Sequence, residues 1–341
     1  PISELKVAVA ILSRGELVVG RHLGDLDNAR AERAFAFEVR RMRELLRVEP
    51  EAVAVDLHPD LATTLYAEQS FAGLPIVRVQ HHHAHLAAVL VEHRVPPDEE
   101  ALAIVLDGVG YGDDGTIWGG EILAGGYGDA RRAAHLRAVP QPGGDAAARE
   151  PARMATSLLL DLGRASGPGF DEEVAAICAI RAVSPSTSSA GRLFDGAAAL
   201  LGVAPKRQDY EGEAAARLEA AADPGVGDAY PLPDDGGVLD TRALVGALLE
   251  DRAAVEVRAA RFVNGLADGL AAAALARGSG RPLVALGGGC MVNRPLLGRL
   301  ERRLGEGGAR VLRPRALPPG DGGLAAGQAA CAAVRLGERA R

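Results

Sequence analysis

Pro75-Ile76-Val77-Arg78-Val79 leads into Gln80-His81-His82-His83-Ala84-His85, and Ala101-Leu102-Ala103-Ile104-Val105-Leu106 then closes on Asp107. The first run is short and rich in β-branched residues, which predicts a strand. His82 to Glu92 carries helical spacing, and Pro96-Pro97 stops the chain beyond it. Ala101 to Leu106 is apolar without interruption, the pattern of a strand buried on both faces. Strand, helix, strand in that order predicts an α/β fold with at least some parallel sheet.

The same reading extends in both directions. Lys6 to Leu12 and Glu16 to Val19 flank Ser13-Arg14-Gly15 as a hairpin. Phe35, Val39, Met42 and Leu45 fall on one face of a helix over Arg33 to Val48, which Pro50 ends. Ala52 to Leu57 reads as a strand, and Asp60 as the cap of a helix reaching Gln69. Past Asp107, residues 108–120 read as a glycine-rich turn and Glu121 to Ala124 as a returning strand. The stretch from about 150 to 280 is mainly helical, interrupted by a loop over Ala222 to Gly237. Alternation then resumes: strand Leu283–Leu286, turn 287–289, helix Asn293–Leu304, strand Arg310–Leu312 and helix Ala325–Val334.

Composition limits the function. The 341 residues amount to roughly two domains. With 48% hydrophobic and 24% charged residues, the chain can bury a core and is not disordered as a whole. It has no apolar run of ~18 residues and no signal-peptide pattern, so no membrane partner is expected. Cys178, Cys290 and Cys331 are far apart and form no CxxC, which fits a reducing, cytoplasmic setting. Net charge is −7, and all but two of the 38 cationic residues are Arg, the exceptions being Lys6 and Lys206. That balance disfavours nucleic acid as a partner, although Arg40, Arg41, Arg43 and Arg47 could form a local patch.

Half of the eight histidines sit between positions 81 and 85. His81 and His85 are i and i+4, which places two imidazoles on one helical face at a spacing that suits a shared metal. The metalloprotease pattern is absent, because His82 stands where its Glu would be. Asp107, at a strand's C-terminal end, and Asp321, in Pro318-Pro319-Gly320-Asp321-Gly322-Gly323, could add carboxylates. Each taken alone reads as a turn or cap residue. The glycine stretches 108–115 and 287–289 each follow a strand and could approach phosphate through backbone N–H groups, though neither is a Walker A loop. Asp195, inside an apolar helix after Ser188-Ser189, could accept hydrogen bonds from ribose hydroxyls.

Taken in order, Asp56-Leu57-His58-Pro59-Asp60, Val79-Gln80-His81-His82-His83-Ala84-His85, Leu106-Asp107-Gly108-Val109-Gly110-Tyr111-Gly112, Gly143-Gly144-Asp145 with Arg149-Glu150-Pro151, Thr187-Ser188-Ser189-Ala190-Gly191-Arg192-Leu193-Phe194-Asp195, Tyr210-Glu211-Gly212-Glu213, Gly288-Gly289 with Asn293, and Pro319-Gly320-Asp321-Gly322-Gly323 form a specific series. It resembles, over essentially the whole chain, the C-terminal domain of the hydrogenase maturation carbamoyltransferase (HypF) family. The resemblance implies an actin-like ATPase (ASKHA) fold of two related lobes with mixed sheets and a cleft between them. The first lobe would be residues 1–130, completed by a C-terminal helix at 321–341. The second would be residues 131–320, with a helical insertion. His81, His85, Asp107 and Asp321 would hold a divalent metal, which could be iron, zinc or manganese. Asp195, Gly212, Gly288, Gly289 and Asn293 would line a pocket for ATP or carbamoyl-adenylate.

The implied reaction moves a carbamoyl group from carbamoyl-adenylate to the C-terminal cysteine of a partner hydrogenase maturation protein. Full-length members of the family carry acylphosphatase-like, zinc-binding and adenylate-forming parts ahead of this domain. The chain is therefore expected to perform the transfer half-reaction and to rely on a separate carbamoyl-activating domain or protein. Three alternatives remain open: transfer to a small-molecule hydroxyl, a tRNA threonylcarbamoyladenosine transferase-like activity, and a non-catalytic nucleotide-binding scaffold. Against the tRNA reading, that family's motif has Glu-Gly before its second histidine, whereas here His82-His83-Ala84 intervene.

Overall fold

The structure, a computed structural model, describes residues 6–339. Residues 1–5 and 340–341, at the outer ends of the expected 1–130 and 321–341 segments, lie outside the described residues. Strands β1 (Ala10–Ser13) and β2 (Glu16–Val19) form the expected hairpin. Helix α1 (Ala29–Leu46) begins on Asn28, whose side chain accepts from the N–H groups of Arg30 and Ala31. Two of its arginines already have acidic partners: Arg41 pairs with Glu38 and Arg43 with Glu49. Strand β3 (Val53–Asp56), helix α2 (Ala62–Ser70) and strand β4 (Ile76–Val79) make a parallel βαβ unit. Asp60 does not cap α2; the cap position is Leu61, and the Asp60 N–H is instead drawn back to His58 Nδ1.

Helix α3 (His81–Glu92) follows β4 directly, with the Gln80 side chain accepting from the His83 N–H. Strand β5 (Ala101–Tyr111) then pairs antiparallel with β6 (Ile117–Gly125). The glycine stretch expected to turn at 108 stays in the strand as far as Tyr111. A register shift after Leu106 lets the ladder resume with Gly110 opposite Trp118. Next come β7 (Ala130–Leu136), β8 (Val139–Pro140), α4 (Asp145–Arg149), α5 (Ala152–Asp161), α6 (Glu172–Cys178), β9 (Ser186–Thr187), α7 (Ala190–Leu200) and α8 (Glu213–Ala221). After them come β10 (Asp234–Asp235), β11 (Val238–Leu239), α9 (Thr241–Glu250), α10 (Val255–Arg277), β12 (Leu283–Gly287), α11 (Arg294–Glu306), β13 (Arg310–Leu312) and α12 (Leu324–Arg339).

The main sheet is mixed, in the order β10-β11-β7-β6-β5-β12-β13. β5, β12 and β13 run parallel, whereas β5, β6 and β7 run antiparallel. Side chains alternate along β5, so this one strand feeds two cores. Leu102, Ile104 and Leu106 pack on one face with Leu158, Phe194 and Phe262 from α5, α7 and α10. Ala101, Ala103 and Val105 pack on the other with Leu86 and Leu90 of α3 and Cys331 of α12. Asp107 continues the second set, which carries its carboxylate toward α3. Among the described residues, no helix is long and apolar enough to cross a membrane.

Helices α3 and α12 meet closely at Gly327, where an ideal Cβ would lie 1.9 Å from the Ala84 carbonyl oxygen. A methyl group there must push the two helices apart. Gly327→Ala is therefore expected to destabilise the fold by about 1–3 kcal/mol, the usual cost of overpacking. Gly337→Ala is the control, because a Cβ at Gly337 meets nothing within 4 Å. Thermal denaturation of the two variants checks this: Gly327→Ala should melt lower, and Gly337→Ala at or above the parent.

Candidate functional site

Helix α3 is buried from His81 through Leu90, so its polar side chains need partners inside the protein. His83 finds them in the Gly126 carbonyl, 2.7 Å from Nε2, and in Arg335, 3.1 Å from Nδ1. His82 packs against Trp118, and its Nδ1 lies 3.2 Å from the Gln80 amide. Burial, with His81 alongside, holds His82 well below the usual histidine range, so it is neutral. Neither belongs to the cluster of His81, His85, Asp107 and Asp321, although His82 Nε2 is also left without a hydrogen bond.

His81 and His85 point the other way and meet two carboxylates. His85 Nε2 is 2.9 Å from Asp107 Oδ2 and 3.7 Å from Asp321 Oδ1. His81 Nε2 is 3.8 and 3.6 Å from the same two atoms. One ligand atom from each of the four residues falls within 4.8 Å of every other. His81 Nε2, His85 Nε2 and Asp107 Oδ2 are buried yet make no hydrogen bond, since no N–H is aimed at an acceptor despite the short separations. Donor atoms about 2.0–2.2 Å from one ion stand roughly 3–3.5 Å apart. The cluster therefore fits one divalent metal in both its spacing and its orphaned atoms.

Positioning comes from three directions. Asp56, at the end of β3, accepts from His58 N–H through Oδ1 and holds His81 Nδ1 at 3.0 Å through Oδ2. This carboxylate–imidazole contact fixes the ring with Nε2 facing the cluster. Glu92, at the far end of α3, accepts from the N–H groups of Arg315, Ala316 and Leu317 and ties down the chain leading to Asp321. The Gly288 N–H donates to Pro319 O from the other side. Burial opposes charge on His81, but Asp107, Asp321 and Asp56 raise it well above its ordinary value. His85 is raised against burial in the same way by Asp107 and Asp321. Burial likewise works against charge on both carboxylates, yet the two imidazoles hold Asp107 and Asp321 low.

The residues expected around a nucleotide fall into two groups. Gly289 adjoins the cluster, its ideal Cβ position lying 3.1 Å from Asp107 Oδ1 and Gly320's lying 3.3 Å from the Gly289 Cα. Gly288 has φ +93°, and a Cβ there would meet the Leu106 carbonyl, so the turn tolerates no side chain. Asn293 is committed to a structural task, its side chain accepting from the Leu296 N–H as the cap of α11. Asp195 is wholly buried, 2.9 Å from Arg192 and 3.3 Å from the Gln208 amide. Burial raises it to about 6 despite Arg192, and its Oδ2 makes no hydrogen bond. Gly212 starts α8 in left-handed conformation with open space around it. The N-terminus of α7 abuts the β5 glycines, since a Cβ on Gly191 would lie 2.9 Å from the Gly108 Cα. That contact brings Arg192 beside Asp107-Gly108.

Asp56 and Arg192 lie within the motif series, but the sequence assigns neither them nor Glu92 a role at the site. Asp56 carries the same signal as Asp107, a carboxylate ending a buried strand. Glu92 and Arg192 offer no signal that distinguishes them from other surface-type charges. None of the three cysteines is activated: burial raises Cys331 to about 12 and pushes Cys290 and Cys178 up as well.

Residues 103–328 match the family model described as Carbamoyltransferase, Kae1-like Domain, second subdomain, and residues 3–92 match the HypF Kae1-like domain. The carbamoyltransferase HypF of Rhodobacter capsulatus is 41% identical over 98% of this chain and 46% of its own length. A carbamoyltransferase HypF homolog of Cupriavidus necator is 41% identical over 96% of this chain and 89% of its own. Among solved structures, full-length HypF in a phosphate- and nucleotide-bound form superposes with TM-score 0.88 at 32% identity, covering 97% of this chain and 54% of that one. HypF of T. kodakarensis gives 0.90 at 30% identity, covering 98% and 47%. Apart from the Cupriavidus homolog, the chain thus spans about half the length of these relatives.

The cluster generates a direct expectation. His85→Ala and Asp321→Ala should each lower affinity for a divalent metal at least about tenfold, read as metal per chain after equilibrium dialysis. Protons compete for the same imidazole nitrogens, and both histidines hold them above the ordinary value of 6.5. Metal affinity should therefore fall as pH drops, beginning above pH 6.5 rather than below it. Unchanged metal content in either variant removes that residue from the site.

Proposed function

The chain belongs to the HypF carbamoyltransferase family and has the actin-like ATPase fold of its Kae1-like domains; on that premise we propose that it transfers a carbamoyl group from carbamoyl-adenylate to the C-terminal cysteine of a partner hydrogenase maturation protein in the cytoplasm. The observation that carries this reading is the convergence of His81, His85, Asp107 and Asp321 beside the side-chain-free turn at Gly288-Gly289. In this reading those four residues hold iron, zinc or manganese, all of which accept mixed imidazole and carboxylate donors. When bound, the metal would supply Lewis-acid polarisation of a carbamoyl or phosphate oxygen.

The protein's own residues account for the rest. Asp56 orients His81, and Glu92 steadies the chain leading to Asp321. Gly288 and Gly289 let the backbone pack against Leu106 and Asp107, and in this reading the phosphate lies beside that turn, with Asn293 and Gly212 lining the nucleotide pocket. Asp195 accepts a ribose hydroxyl at Oδ2, which makes no hydrogen bond although Arg192 stands 2.9 Å away. The acceptor thiolate attacks the carbamoyl carbon, a C–S bond forms, the C–O bond to phosphate breaks and AMP leaves. The thiol's proton goes to solvent before the attack. The high thiol pKa values of Cys290 and Cys331 support a nucleophile from outside the chain.

Two outcomes test this reading. Supplied with carbamoyl-adenylate, metal and a peptide ending in cysteine, the chain should form a carbamoyl adduct visible by mass spectrometry. An adduct no greater than the uncatalysed level counts against thiol transfer. Asp195 supplies a pH signature. Its carboxyl is raised to about 6, so it is a charged acceptor above that pH and a neutral acid below it. Adenosine, which carries no phosphate, isolates this group: in the metal-free chain its affinity should fall as pH goes from about 7.5 to about 5, and Asp195→Asn should bind weakly with a flatter profile.

A further inference from the structure

Lys6 is one of two lysines in a chain that otherwise uses arginine for positive charge. Its backbone is left-handed, with φ +52°. Three other described non-glycine residues share that conformation, and each has a local reason. Arg14 turns the β1–β2 hairpin, Arg47 ends α1, and Arg94 follows the end of α3. Lys6 is the first described residue, and neither a helix nor a hairpin turn follows it directly. Left-handed backbone at a non-glycine residue is uncommon and collects at ligand-handling positions.

The contacts of Lys6 span the candidate site. Its N–H donates to Asp25 Oδ1 at 2.9 Å, and its carbonyl oxygen lies 3.7 Å from the Cβ position of Gly322, next to Asp321. Its ammonium donates to Glu211 Oε2. The other oxygen of Glu211 is 3.7 Å from the Cβ position of Gly108, next to Asp107. The Lys6–Glu211 pair therefore bridges from the Asp321 side of the cluster to the Asp107 side. Burial opposes charge on Lys6, but Glu211, Asp321 and Asp107 raise its pKa, so the ammonium keeps its proton. Both side chains are about 40–45% exposed, and an ion pair so exposed is weak and readily exchanged.

We propose that Lys6 is a binding residue for the phosphate of the adenylate, held by Glu211 until that phosphate displaces the carboxylate. The inference rests on the nucleotide reading above. A lysine ammonium suits the exchange, being a compact charge with three rotatable donors that can swap one anionic oxygen for another with little movement. No covalent step is involved. Phosphate takes over the ammonium's hydrogen bond, and Glu211 turns to water.

Comparing AMP with adenosine isolates the phosphate contact. Calorimetric affinities of both ligands would be measured for the metal-loaded parent chain, Lys6→Ala and Glu211→Gln. The parent should prefer AMP. Lys6→Ala should lose about tenfold in AMP affinity, the scale of one charge-assisted hydrogen bond, while binding adenosine as before. Unchanged adenosine affinity also shows that the variant folds. Glu211→Gln should bind AMP more tightly than the parent, because the competing carboxylate is gone. An AMP-to-adenosine ratio equal in the parent and Lys6→Ala overturns the assignment but leaves the nucleotide reading standing. Loss of AMP affinity in Glu211→Gln overturns the displacement. A parent chain that binds neither ligand removes both the nucleotide reading and this inference.

Discussion

A helix rich in histidine lies where the protein is otherwise apolar, and much of the site follows from that constraint. Buried polar nitrogen costs free energy unless it is paired. On α3 the histidines draw in different parts of the chain, and only some of their nitrogens are paired. His83 reaches the Gly126 carbonyl and Arg335 of α12. His81 reaches Asp56 at the end of β3. His81 and His85 together face Asp107 from β5 and Asp321 from the segment before α12. His81 Nε2, His85 Nε2 and Asp107 Oδ2 stay without hydrogen bonds at this last meeting point; His82 Nε2, which lies by Trp118, is also unpaired but has no carboxylate facing it.

Strand β5 couples this centre to the rest of the molecule. Its alternating side chains divide two apolar cores, and the division carries through to the polar residues that follow. Asp107 stays on the α3 side. Gly108 lies under Gly191 at the start of α7, which brings in Arg192 and Asp195. The metal-type cluster and the buried Arg192–Asp195 pair are thus neighbours because consecutive residues of one strand face opposite ways.

The bridging Lys6–Glu211 pair adds a third element over the same space, contributed by the N-terminal segment and the turn before α8. Asp56, Lys6, Gln80 and the α3 histidines precede β5, whereas Glu211, Gly288 and Asp321 follow it by long intervals. The site is assembled from both ends of the chain. The mixed sheet makes this possible by setting β12, near the C-terminus, parallel and adjacent to β5.

Local physics made much of this visible beforehand. Strand–helix–strand alternation, the hairpin at Arg14-Gly15 and the i, i+4 spacing of His81 and His85 depend on residues a few positions apart. The misreadings were also local: Asp60 gave up its cap position to Leu61, and the glycines after Asp107 continued a strand because β6 was present to pair with them. Sequence alone therefore determined the elements and the two imidazoles that share a face. Tertiary structure decided which carboxylates meet them, that Asp56 orients one ring, and that Lys6 reaches Glu211. Those pairings join residues far apart in the chain, and their geometry is set by how sheet and helices pack rather than by any local preference of the residues involved.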